Sequence, residues 1–329
     1  MQSKEFQESL LKGELNDILG QDDAKQQLKG ALLSGRHVLI VGPPGVGKTT
    51  LAKSVAKLLP VIERVDLITK KKKKVSGVER FVRVQGSPDL TVEDILGDID
   101  PIKALKFGPR SVEAFTPGKI FLAERGVLFF DEINRAPEKL QNALLQVLSE
   151  GKATLSGYTV DFPLDFLFIG TMNPAESAAV EPLSDVFLDR FDVVQLSYPE
   201  TLETEEHIVK EKGVKLAEFP PKLLLLTIQF LRELRSAKEL EKRPSVRASL
   251  GLYERAQAHA LVNGRSVVSS EDVDAVIVSV LAHRIALKPS HKFSTTPEQF
   301  VASKFDEFVS AHEDLDSKSG DSLRREGTV

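Results

Sequence analysis

The chain contains no cysteine. That absence excludes disulfide staples, thiolate zinc sites and thiol nucleophiles. Its 6 histidines are scattered and make no metal-ligand spacing. No apolar run approaches the roughly 20 residues that cross a bilayer. The longest greasy segment, Leu223 to Leu226, belongs to a helical pattern that soon turns charged. The opening Met1-Gln2-Ser3-Lys4-Glu5 lacks the apolar centre of a secretory leader. These features predict a cytoplasmic protein without membrane contact. An excess of positive charge is missing as well: 44 Lys+Arg against 48 Asp+Glu leave a net −4, which gives no general grip on nucleic acid or membrane, although a local basic patch could still matter.

What is present describes an ordinary soluble protein, with 41% hydrophobic and 28% charged residues in 329, long enough for two domains with real cores. The most informative stretch reads Gly42-Pro43-Pro44-Gly45-Val46-Gly47-Lys48-Thr49. It follows the apolar run Val38-Leu39-Ile40-Val41 and precedes the helical pattern that begins at Thr50. Closely spaced backbone N–H donors can cradle phosphates where glycines remove the Cβ atoms, and the following helix points its positive end at the same place. Lys48 can reach the β- and γ-phosphates of a nucleotide, and the Thr49 hydroxyl can hold Mg2+.

Upstream, Phe6, Leu10, Leu11, Leu15, Ile18 and Leu19 recur at helical spacing up to Gly20, and Gln21-Asp22-Asp23 opens a second helix, Ala24 to Leu33. Downstream, Val61 to Thr69 and Val78 to Val84 flank the run Lys70 to Lys74, which predicts a hairpin around Ser76-Gly77 with a lysine tip. Five like charges must sit in water, either as a plain solvated loop or as a contact for acidic protein or nucleic acid. Thr91 and Asp94 form a capping-box pattern, with Leu90 and Ile95 as the staple. Gly97, Pro101, Gly108, Pro109, Pro117 and Gly118 then mark an insertion of short elements.

Val127-Leu128-Phe129-Phe130 reads as a strand buried on both faces that ends in Asp131-Glu132. Two acids there are costly without a cation or a proton to manage. Behind a phosphate loop, the first holds Mg2+ through water and the second orients or deprotonates the attacking water. A helix opened by Pro137 and closed by Gly151 follows. The run Phe166 to Gly170 is a third buried strand, leading to Thr171-Met172-Asn173-Pro174. Parallel strands would put Asn173 at the same sheet edge as Asp131; a turn asparagine before proline is the alternative. Leu188-Asp189-Arg190-Phe191-Asp192 precedes a short strand, Val193 to Leu196. From Tyr198-Pro199 onward glycine is rare and helices take over, at Lys222 to Ala237, Val246 to Val262 and a last one capped by Ser269 and Asp272. The division expected is an α/β core over 1–197, a helical domain over 198–312 and a disordered tail over 313–329.

Strand, phosphate loop, helix, acidic strand, polar strand end and helical domain, in that order, resemble an AAA+ ATPase. Gln85-Gly86-Ser87-Pro88-Asp89-Leu90-Thr91, Asp131-Glu132-Ile133-Asn134-Arg135-Ala136-Pro137 and Gln141-Asn142-Ala143-Leu144-Leu145 look like the MoxR family. Arg243-Pro244-Ser245-Val246-Arg247-Ala248 resembles that family's lid motif. Pro117-Gly118, Glu124-Arg125-Gly126-Val127-Leu128 and the long arm after Leu59-Pro60 lean towards the small ATPase subunit of magnesium chelatase.

The resemblance implies a P-loop parallel sheet with helices on both faces and an all-α lid, binding ATP and Mg2+. It implies that residues 42–50, through Thr50, hold the nucleotide, with Ile18 and Gly20 over the adenine, and that Asp131 and Thr49 serve the metal. It further implies Glu132 as the base, Asn173 as the sensor of the attacking water, Arg190 as an arginine finger for a neighbouring copy and Arg247 as the lid arginine, in cis or in trans. A guanidinium suits both arginine positions because phosphoryl transfer spreads negative charge over several oxygens. An ion pair with Asp189, or with Glu254, is the plainer reading of each.

A hexameric ring that remodels a partner protein, itself a separate chain bearing a von Willebrand A domain, is the implied function. A chelatase-type metal-insertion motor, a nucleic-acid translocase using Lys70 to Lys74, and a nucleotide-gated scaffold are the alternatives. The acidic balance opposes the translocase, and Glu132 opposes the scaffold.

Overall fold

The computed structural model describes residues 4–65, 72–108, 111–154, 161–174 and 183–320. Two compact units divide the chain, Met1–Ser197 and Tyr198–Val329. The first is built on a five-stranded parallel sheet. Numbering only its strands, β1 is His37–Val41, β2 Phe81–Gln85, β3 Val127–Asp131, β4 Leu167–Met172 and β5 Phe191–Gln195. Their spatial order is β5-β1-β4-β3-β2, and all pairs are parallel.

Continuous apolar sequence makes the three inner strands β1, β4 and β3 because both sheet faces are covered there, whereas the edge strands β5 and β2 alternate between buried and more exposed positions. Leu39, Val41, Leu128, Phe130 and Phe168 face one core, which the helix Glu138–Glu150 closes through Leu140, Leu144 and Val147. On the alternate positions, Val38, Ile40, Phe129 and Ile169 are equally buried. The helices Asp22–Leu33 and Lys48–Leu58 contact β1 and β3 respectively. This is the P-loop α/β arrangement that the sequence implies, and the insertion of short elements is also present. It comprises the pair Gly97–Ile99 with Phe115–Pro117 and the short helices Pro101–Phe107 and Lys119–Leu122. The Thr91 capping box forms: Thr91 Oγ1 accepts from Asp94 N at 3.2 Å, and Asp94 accepts from Thr91 N at 3.0 Å.

Several boundaries differ from the sequence expectation. The first helix is Lys4–Lys12 and stops well short of Gly20. A Cβ at Gly13 would lie 2.4 Å from Leu58 Cδ2, so glycine lets the chain leave this helix close against the end of the helix Lys48–Leu58, while Leu15 and Ile18 stay buried in the following turn. The lysine hairpin has different arms. Ile62–Val65 pairs with Lys72–Val75, so Lys72, Lys73 and Lys74 lie on an exposed strand, and Lys70 and Lys71 fall outside the described residues. Lys72 and Lys73 meet Glu63 and Glu79 at 3.7 and 3.0 Å. The expected second arm is instead β2, drawn into the central sheet as its edge, where Phe81 stacks on Phe129 with centroids 5.4 Å apart.

The second unit is helical around one core, with helices Leu202–Lys212, Pro221–Ser236, Val246–Val262, Ser270–Leu281 and Pro297–Gly320. The helix capped by Ser269 is therefore not the last. Phe300, Val301, Phe305 and Phe308 bury the final helix against the unit, and it carries on to Gly320 into the stretch expected to be tail. Residues 321–329 lie outside the described residues.

His37, at the start of β1, sits between the rings of Phe166 and Phe168 and accepts a hydrogen bond from Phe168 N at 3.3 Å. Burial pushes its pKa down from 6.5 to about 4, opposed in part by a hydrogen bond with the Leu148 backbone. The unfolded chain therefore takes up this proton first as pH falls. The His37 contribution is fully present above pH 6.5 and fades towards pH 4, by about 3 kcal/mol. Thermal unfolding of His37→Gln should depend less steeply on pH than wild type across that window.

Candidate active site

All functional positions expected in the first unit except Arg190 gather at the carboxyl ends of the strands. Parallel register places Val41 beside Met172, and Phe130 beside Gly170. The residues that follow these strands, Gly42, Asn173, Asp131 and Glu132, therefore lie along one edge. Gly42 N donates to Met172 O at 3.3 Å, which sets the phosphate loop directly beside Asn173. Asn173 is buried.

The loop's glycines are there for space and backbone angle. A Cβ on Gly42 would come within 2.5 Å of Leu196 O, and Gly45 and Gly47 have φ of 78° and 101°, which favour glycine. A Cβ on Gly47 would meet Ile18 Cδ1 at 2.7 Å, so Ile18 packs directly on the loop. Gly20 follows with φ 64°. Gln21 then exchanges hydrogen bonds with Ser197, donating to its carbonyl at 2.8 Å. Lys48 donates to the carbonyls of Gly42 at 2.5 Å and Pro43 at 3.0 Å, which holds its ammonium over the loop. Val46 is buried, while Pro43, Pro44, Thr49 and Thr50 are part-exposed. The helix Lys48–Leu58 opens here, and its first N–H groups suit an anion.

The acidic end of β3 is organised by a residue that sequence reasoning passed over. Thr171, on β4, is fully buried. Its Oγ1 donates to Asp131 Oδ1 at 2.7 Å and accepts from Glu132 N at 2.9 Å. One hydroxyl thus fixes a carboxylate and the backbone of the next residue. Glu132 has φ 55° and ψ 53°, a left-handed conformation that costs a non-glycine residue about 1 kcal/mol. The bond from its backbone N–H to Thr171 helps offset that cost.

Three further side chains complete the network. Arg83 Nη2 donates to Asp131 Oδ2 at 2.7 Å, while Gln85 Nε2 and Arg135 Nη1 both donate to Glu132 Oε2 at 3.0 Å. Arg83 and Gln85 are two apart on β2 and so share a face. Gly86, next in the chain, donates to Asp131 O at 2.7 Å, and a Cβ there would come 2.0 Å from Glu132 O. The Gln85-Gly86 pair is explained by this approach: an amide for Glu132, then no side chain where the two backbones touch. The available signal for Thr171 was a lone hydroxyl in an otherwise apolar buried run, and for Arg83 and Gln85 it was polar alternation on one strand. Among the described residues no group of three or more His, Asp or Glu side chains could hold a metal ion by itself. One carboxylate, a hydroxyl and the phosphates of a nucleotide form the usual Mg2+ donor set instead, and Asp131 and Thr49 fit it.

Arg190 lies elsewhere. It immediately precedes β5, whose Phe191 pairs with His37 and whose Gln195 pairs with Val41. It therefore stands at the opposite end of the strands from the phosphate loop, about 15 Å away along β5. Its side chain bonds Ser149 Oγ at 3.0 Å and the exposed Asp189 at 3.2 Å, a surface pairing of small energetic weight. Arg247 belongs to the second unit, is exposed and has no hydrogen bond or ion pair among the described residues. Glu254 instead accepts from Val214 N at 3.0 Å.

Thr171→Val keeps shape and burial while deleting both hydrogen bonds. It should destabilise the fold by about 1–3 kcal/mol and lower ATP turnover by roughly a hundredfold. ATP affinity, measured by fluorescent-nucleotide titration, should stay within about threefold because the loop is untouched.

Comparison with known proteins agrees with this geometry. The family described as magnesium chelatase, subunit ChlI, matches residues 14–188, and an AAA lid domain matches residues 232–303. The chaperone MoxR1 of Mycobacterium tuberculosis is 32% identical over 305 residues, covering 82% of this chain and 73% of the relative. The uncharacterized protein YeaC of Bacillus subtilis is 30% identical over 300 residues, covering 84% and 85%. A magnesium-chelatase subunit ChlI homolog of Methanocaldococcus jannaschii is 26% identical over 346 residues, covering 92% of both. A point mutant of Thermotoga maritima RuvB shares the fold at a TM-score of 0.52 and 18% identity, over 80% of this chain and 71% of that one. With the phosphate loop, the paired acids and the lid all in place, the chain belongs to the MoxR and magnesium-chelatase group of AAA+ ATPases and hydrolyses ATP.

Proposed function

We propose that copies of this chain assemble into a ring, a hexamer in the simplest case, whose ATP turnover remodels or matures a partner protein. The observation that carries the shared site is the position of Arg190. It stands at the wrong end of its own sheet to reach its own phosphate loop. A neighbouring copy can present it to the nucleotide, where an arginine finger contributes about three to five decades in rate.

In this reading residues 42–50 bind the phosphates, with Lys48 turning from the Gly42 and Pro43 carbonyls to the β- and γ-phosphates. Ile18 and Gly20 border the adenine. Thr49 and Asp131 hold Mg2+, which neutralises phosphate charge when bound. Glu132 takes the proton of the attacking water, held in place by Gln85 and Arg135 and by the backbone bond to Thr171. Asn173, beside Gly42, orients that water. Arg247 senses the γ-phosphate from the lid.

A protein partner is supported by the likeness to a relative named a chaperone and by the MoxR-type strings around Gln85 and Asp131. We expect it to be a separate chain, in keeping with a von Willebrand A domain partner. The second reading, a chelatase-like metal-insertion motor, is favoured by the ChlI family match over residues 14–188. Nucleic acid is the weaker partner. The net charge is −4, and Lys72 and Lys73 already face Glu63 and Glu79.

Glu132→Gln should retain ATP and lose turnover by about a hundredfold or more, leaving long-lived ATP-bound rings measurable by light scattering. Those rings should retain a protein partner in a pull-down. Turnover equal to wild type would remove Glu132 as the base.

A further inference from the structure

A buried ion cluster in the second unit joins two stretches of chain that are far apart in sequence. Glu205, on the helix Leu202–Lys212, is fully buried. Its Oε1 accepts from Arg235 Nη2 at 2.8 Å and from Ser249 Oγ at 2.6 Å. Its Oε2 accepts from Arg235 Nη1 at 2.9 Å and from Arg232 Nη1 at 3.3 Å. Burial alone would raise the carboxyl's pKa. The hydrogen bonds and charge of Arg235, with Ser249 and Arg232, outweigh it and hold the group below the ordinary carboxylate range.

Each arginine has a second task. Arg232 donates to the carbonyls of Pro199 at 2.8 Å, Glu200 at 2.7 Å and Thr201 at 3.2 Å. These residues lie where the chain enters the second unit, which begins at Tyr198. Arg235 stacks its guanidinium over the Tyr198 ring, 4.5 Å from its centroid, and donates Nε to Pro244 O at 2.9 Å. Pro244 is three residues before Arg247, and Ser249 is two residues after it on the helix Val246–Val262. The entering chain and both sides of Arg247 thus converge on one carboxylate.

An ion cluster is an expensive way to join helices, because the charges must be desolvated and apolar side chains would hold them as well. What it adds is direction. A guanidinium fork bonded to a carboxylate at one end and to carbonyls at the other permits little relative rotation.

We propose that Glu205, Arg232 and Arg235 are positioning residues that lock residues 198–201 and the start of the helix carrying Arg247 into one rigid piece, so that any displacement of the entering chain is delivered to Arg247. The proposal rests on the reading of Arg247 as the lid arginine. In it, loss of the clamp leaves ATP bound but Arg247 badly aimed, and the clamp has no value once Arg247 is gone.

A double-variant cycle on the full chain tests this, with ATP turnover, KM and thermal unfolding measured for Arg232→Ala, Arg247→Ala and both together. Arg232 is suited to the cycle because its side chain is 28% exposed and its removal leaves the Glu205–Arg235 fork in place. Arg232→Ala should lower kcat by about tenfold with KM for ATP within about twofold of wild type. The combined variant should be no slower than Arg247→Ala alone. If Arg232→Ala does not fold, Arg232→Lys is read in the same cycle, since its single ammonium cannot serve three carbonyls in fixed directions. Effects that multiply in the combined variant, or an unchanged kcat on altering Arg232, overturn the positioning role. An unchanged kcat in Arg247→Ala overturns the lid reading and the proposal with it, and that failure is visible in a single variant that leaves the clamp intact.

Discussion

One buried hydroxyl holds the acidic end of β3 in place. Thr171 donates a hydrogen bond to Asp131 and accepts one from the backbone N–H of Glu132, so two acids that repel each other are fixed at the end of a single strand. Without that bridge an interior carboxylate oxygen and an interior N–H would both go unpaired, and each is costly to bury alone. The left-handed turn at Glu132 depends on the same bond. Arg83, Gln85 and Arg135 then supply charge and donors from two other directions, leaving each carboxylate aimed and partnered before any nucleotide arrives. Such preorganisation is what makes electrostatic catalysis effective, because the groups need not reorient during reaction.

The two units solve different problems with the same materials. The first places its functional groups by strand register, which fixes neighbouring strand ends without long side chains. The second has no such edge and uses a buried carboxylate with two arginines to set where its helices and loops lie. Arg190 belongs to neither solution. It stands at the far end of the strands from the phosphate loop, which makes sense on the proposed reading that a copy's active site is finished by its neighbour.

Much of this was legible in the sequence because it is local. The glycines of the phosphate loop are needed for backbone angle and space at their own positions, so their spacing carries the site. The apolar run ending in Asp131-Glu132 gave the strand and its acids, and the Thr91-Asp94 box gave a helix start that forms as written. What escaped was non-local. Thr171 matters through a neighbouring strand, and position 13 has no room for a side chain because Leu58 lies against it. The lysine run was expected at a loop tip because charge must be solvated. An exposed hairpin strand solvates Lys72 to Lys74 equally well, and β2 was free to join the central sheet. The last helix was obscured by a polar, charged sequence whose four buried apolar residues are enough to dock it.

Mixing two inactive variants tests the shared site most directly. Lys48→Ala copies lose nucleotide binding but keep Arg190, and Arg190→Ala copies keep the phosphate loop. Each alone should be inactive. Combined in equal amounts, with subunits exchanging, about a quarter of the interfaces pair an intact loop with an intact arginine if copies assort at random. ATP turnover should therefore reappear, at roughly that fraction of wild type. No recovery at any ratio, in rings shown by native mass spectrometry to contain both variants, would contradict the account.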